Sequence, residues 1–141
     1  MATFRENVSI VVAMVAHGNV PNMGVMSKPG MGTLSLIRET LDELGTPHVS
    51  IDLSSCGDRS ERDRLLMDML SEHRTKHVND NSMLIIDTMG WLSGNKVDDS
   101  YGSTFNIIRD ALETHSGIIL YFPADIVLPA RVLNRVYTVS M

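Results

Sequence analysis

With one cysteine, Cys56, the 141-residue chain can form no internal disulfide, and a reducing compartment is implied. Cys56 lies in a loop-like stretch and reads as an ordinary small side chain. Basic residues are outnumbered, 12 against 17 acidic, for a net charge of −5 and a pI near 5.4. A surface driven mainly by phosphate-backbone contacts is therefore not expected, and no nucleic-acid signal stands out. The longest early apolar run, Val8 to Ala16, is far too short to span a bilayer. Arg5 and Glu6 make a poor basic leader, and no small-residue cleavage site follows, so a cytoplasmic protein is expected and no membrane partner. Cysteine pairs, H-E-x-x-H and G-x-S-x-G are missing, as are repeats and low-complexity linkers.

Hydrophobic residues make up 43% of the chain, enough for one domain over residues 1–141 with a real core. Ten methionines suit either irregular core gaps or an adaptable binding surface.

The most informative stretch runs from Val20 to Leu44. An apolar entry leads into Ser27-Lys28-Pro29-Gly30-Met31-Gly32-Thr33, and then Leu34, Ile37, Leu41 and Leu44 recur at helical spacing before Gly45. A strand feeding a glycine-rich turn that opens a helix is the phosphate-binding arrangement. Glycines let backbone N–H groups approach an anion, and the helix N-terminus adds partial positive charge. The complete P-loop needs Lys and then Ser or Thr after its last glycine. Thr33 and Leu34 stand there instead.

Before this stretch, Phe4 to His17 reads as a helix on the stripe Val8, Val11, Val12 and Val15, with Gly18-Asn19 as its stop. Met23 to Ser27 is the first strand. After it, Val49, Ile51 and Leu53 alternate in a half-buried or edge strand from Thr46 to Leu53. Ser54 to Ser60 is a polar loop. Glu61 to His77 is an amphipathic helix with Leu65, Leu66, Met69, Leu70 and His73 on one face and Arg62, Asp63, Arg64, Asp68 and Glu72 largely outside it. Met83-Leu84-Ile85-Ile86, ending in Asp87, is a central strand buried on both faces. Gly90 to Gly102 reads as a polar loop, and Ser103 or Thr104 as the cap of a helix carrying Phe105, Ile108 and Leu112. Gly117 to Phe122 is a second central strand ended by Pro123. Leu128-Pro129 opens a short helix through Arg135, and Val136 to Val139 is the last strand. The alternation predicts an α/β fold: three layers, with a mainly parallel five-stranded sheet and helices on both faces.

In this order the pieces resemble the core of the AAA+ ATPases, of the P-loop NTPase superfamily, and within them the MoxR-like and replication-related members. "VPNMGVMSKPGMGTLSLIRETLDELG" resembles the first strand, Walker A loop and helix, "HVSIDLSS" the second strand, and "MLIIDTMGWL" the Walker B strand. "GIILYFPAD" resembles the sensor strand, and "LPARVLNRVYTV" the stretch with an arginine finger. The family's helical lid has no counterpart before Met141. The resemblance implies ATP and Mg²⁺ as cofactors, Asp87 as the Walker B aspartate and Arg135, or else Arg131, as the arginine finger. Ala124 or Asp125 falls at the sensor. Gly30, Met31 and Gly32 fall in the loop, Thr33 in place of the phosphate lysine, Leu34 in place of the Mg²⁺ hydroxyl and Thr88 in place of the water-activating glutamate.

These losses carry chemical weight, because phosphoryl transfer rests on positioning and on neutralising developing charge. Removing one general base alone typically lowers the rate about 10²- to 10⁴-fold. The expected function is therefore that of a degenerate domain acting by protein contacts, with an AAA+ ATPase or by self-association, such as a phage-encoded protein directed against a host ATPase. The alternative is a divergent ATPase in which Lys28, five positions before Thr33, supplies the missing charge, with Ser35 or Thr33 offering a hydroxyl to a metal; the placement of Lys28 resembles the early lysine of MinD-like ATPases, which reaches a phosphate across a dimer interface beside the usual lysine. His73 and His77 are one turn apart but lack a third ligand, so no metal site is expected. Trp91 reads as a core or rim residue and Asp98-Asp99 as part of a solvated loop.

Overall fold

Two runs of alternating parity set the architecture. In Met83–Asp87 and Ile118–Pro123, every residue up to the final Asp87 is buried, yet successive side chains must point to opposite faces of a sheet. Leu84, Ile86, Ile118, Leu120 and Phe122 enter one core, and Met83, Ile85, Ile119 and Tyr121 enter another. A sheet with two cores needs a helical layer on each side.

The computed structural model describes residues 3–56, 58–76, 82–92 and 102–141. The elements are α1 (Phe4–Ala16), β1 (Asn22–Ser27), α2 (Thr33–Glu43), β2 (His48–Asp52), a 3-10 turn (Leu53–Ser55), α3 (Arg59–Lys76), β3 (Met83–Asp87), α4 (Met89–Leu92), α5 (Gly102–Thr114), β4 (Ile118–Pro123), α6 (Ala130–Leu133) and β5 (Tyr137–Ser140). The five strands are all parallel, in the order β2-β3-β4-β1-β5. The expected α/β class, parallel sheet and three layers are all present.

One layer holds α1 and α2, through Val8, Val12, Val15, Ile37 and Leu41. The other holds α3 to α6, through Leu66, Leu70, Leu92, Phe105, Ile108 and Val132 among others. Every crossover that steps toward β5 uses the second layer. The one that steps back, β1–α2–β2, uses the first. That is what a single crossover handedness requires. A buried asparagine pins the register: Asn22 donates from Nδ2 to the carbonyls of Leu112 and His115, both at 3.1 Å, and its Oδ1 accepts from the Ile118 N–H at 2.9 Å.

Several local expectations need correction. Arg62 is buried, not outside the packed face of α3. Its guanidinium lies 4.5 Å from the centre of the Trp91 ring, and Nε donates to Thr104 Oγ1 at 3.4 Å. Arginine pays little for such burial when its plane can stack on an aromatic. Ser103 and Thr104 lie inside the first turn of α5 rather than capping it, and their hydroxyls donate to Asp63. Met89–Leu92 is helical where a polar loop was expected from Gly90, because Trp91 and Leu92 are buried in the core. Leu53 leaves the strand for the 3-10 turn, where the Asp52 side chain accepts the Ser54 N–H. α6 stops at Leu133, short of Arg135. His77 and Asp98-Asp99 lie outside the described residues.

Candidate functional site at the carboxyl end of the sheet

The connection leaving β1 runs toward β2, and the one leaving β4 runs past β1 to β5. β1 and β4 are neighbours, so the chain departs in opposite directions from adjacent strand ends. In open α/β sheets that switch point is where ligands bind.

The loop leaving β1 rises from buried Ser27 through exposed Lys28, Pro29, Gly30, Met31 and Gly32 to buried Thr33. Gly30 and Gly32 hold φ of +83° and +72°, a region that side chains disfavour. A Cβ at either would meet nothing within 4 Å, so the backbone conformation, not space, calls for glycine. No side chain caps α2, whose N-cap is Gly32. Its first N–H groups have no partner within the helix, as for any helix start.

Beneath the loop sits a hydroxyl network. Ser27 Oγ and Thr33 Oγ1 are 2.8 Å apart, and the Tyr121 hydroxyl lies near both. Ser27 also donates to its neighbour's carbonyl, Lys28 O, at 3.3 Å. Tyr121 reaches this place because its parity on β4 turns it to the α2 layer. Beside it in register is Asp87, and beside Asp87 is Asp52. Burial holds the Asp87 carboxyl above the usual range and the Asp52 charge adds to this, while the Met89 N–H and Arg38 oppose it. Burial likewise raises the Tyr121 phenol, with the Asp87 charge adding, against the nearby Ser27 and Thr33 hydroxyls. Asp87 Oδ1 accepts the Met89 N–H at 3.0 Å, which starts α4.

The structure thus brings together Gly30, Gly32, Thr33 and Asp87 around one strand junction. It turns Thr33 inward, so its hydroxyl is not offered to the loop. Leu34 packs against the α1–α2 core, and Ser35 is exposed on the first turn of α2. Thr88 is buried, and its hydroxyl donates to the Tyr121 carbonyl at 2.8 Å. Arg135 stands apart, in the other layer. Nε contacts Glu113 at 2.6 Å, and Nη1 donates to the Arg131 carbonyl at 2.6 Å. Arg131 is held by Asn106 at 2.9 Å. Ala124 and Asp125 are exposed in the turn after β4. Among the described residues, no three His, Cys, Asp or Glu side chains come together to hold a metal.

Sequence reasoning missed Tyr121 and Ser27. The signal for both was position: Ser27 is the last residue of the strand before the glycines, and Tyr121 is the polar-tipped residue in an otherwise apolar strand, where a buried hydroxyl needs a partner. No family model matches the chain, and no curated protein is significantly similar to it.

Proposed function

We propose that the chain is a P-loop-like α/β domain that does not hydrolyse nucleotide and acts through protein contacts. The observation that carries this reading is the hydroxyl network. Where phosphoryl transfer needs a cation on the transferred phosphate, Thr33 offers a neutral hydroxyl committed to Ser27. Where water must be activated, Thr88 is committed to the β4 backbone. Asp87 remains, but its nearest charged neighbours in the sheet include a second carboxylate, Asp52. An AAA+ ATPase or a second copy of this chain is the partner class proposed. Exposed apolar side chains on the same end of the molecule, Met31 and Val127, support a contact role.

A second reading has one observation in its favour. The loop keeps both left-handed glycines and an uncapped helix start, with Lys28 exposed beside them. Backbone N–H groups bind phosphate without any side chain. In that reading Lys28 supplies the charge for a divergent ATP site, with Mg²⁺.

Thermal melting with and without millimolar Mg-ATP or Mg-ADP separates the two. A ligand at 100 times its dissociation constant adds about 2.7 kcal/mol to the folded state. The expected result is no shift and no phosphate release. An upward shift that Lys28→Ala removes, with the fold intact, supports the second reading. Phosphate release that disappears in Asp87→Asn would overturn the first.

A further inference from the structure

We draw no further inference here: the strongest candidate, the exposed outer edge of β5 with the apolar pocket beside it lined by Met26, Phe122, Leu128 and Leu133, is an unpartnered surface, and nothing in the structure shows what covers it.

Discussion

Replacing Thr33 with valine tests the hydroxyl network directly. The side chain is fully buried, and valine keeps its shape, so no cavity opens and the change is one of hydrogen bonding alone. Thr33 Oγ1 bonds Ser27 Oγ at 2.8 Å. Losing it leaves the buried Ser27 hydroxyl short of one partner, at about 1–3 kcal/mol for an unsatisfied buried group. Ser27 keeps a longer contact to the Lys28 carbonyl, so a loss of about 2 kcal/mol is expected. Ser27→Ala removes the other end of the same bond and should lose about 1–2 kcal/mol. Because the Thr33–Ser27 bond is counted in both single variants, the double variant should be less destabilised than their sum, by about 1 kcal/mol. Urea unfolding followed by far-UV circular dichroism gives all four stabilities, and an unchanged m-value confirms that only the folded state was altered. Additivity within about 0.5 kcal/mol would refute the shared network. A neutral Thr33→Val would refute the burial cost itself.

Gly30→Ala and Gly32→Ala should each lose about 1–2 kcal/mol although the new methyl meets nothing, because the left-handed backbone is the only penalty. Asparagine at either place should recover part of that loss in the same unfolding assay. Gly90→Ala should lose about 1–3 kcal/mol despite sitting in a helix, since its Cβ would lie 2.7 Å from Ser54 Cβ; pairing it with Ser54→Gly should restore stability, and failure to do so counts against the contact. Asp87→Asn should stabilise the protein at pH 7. The folded state raises the Asp87 pKa, so it binds that proton more tightly than the unfolded chain, and wild-type stability falls as pH rises from the ordinary aspartate range through the raised value. The difference between wild type and Asp87→Asn should therefore shrink on acidification; a constant difference from pH 4 to 7 would contradict the assignment.

The central strands were legible because a continuous apolar run bounded by turn residues has few alternatives to a strand buried on both faces. The glycine turn was legible because Gly30 and Gly32 flank a single residue just before a helical stripe. What the residues could not reveal was orientation. Thr33 reads as a substitution in a motif, and its inward turn appears only once α2 lies against β1 and β4. Arg62 reads as solvated because of its charge, although it lies one turn before buried Leu66 on the same face of α3; the ring it stacks on, Trp91, comes 29 residues later in the chain. Asn22 sits in an apolar entry with no local reason for a polar residue. Its partners, Leu112, His115 and Ile118, are more than 85 residues away, where no periodicity can point.

The strand order also constrains the timing of folding. Of the five strands of the sheet β1 is made first, yet its two neighbours, β4 and β5, are made after the other two. The core beneath α1 and α2 likewise draws on Met83, Ile85, Ile119 and Tyr121. An emerging N-terminal half thus carries an apolar strand and two apolar helix faces with nothing to cover them. Such nonlocal pairing is slow and leaves sticky surface exposed in the interval. The glycine loop, although it follows the first strand of the sheet, has both strands that flank β1 in place only after β4 and β5 are made.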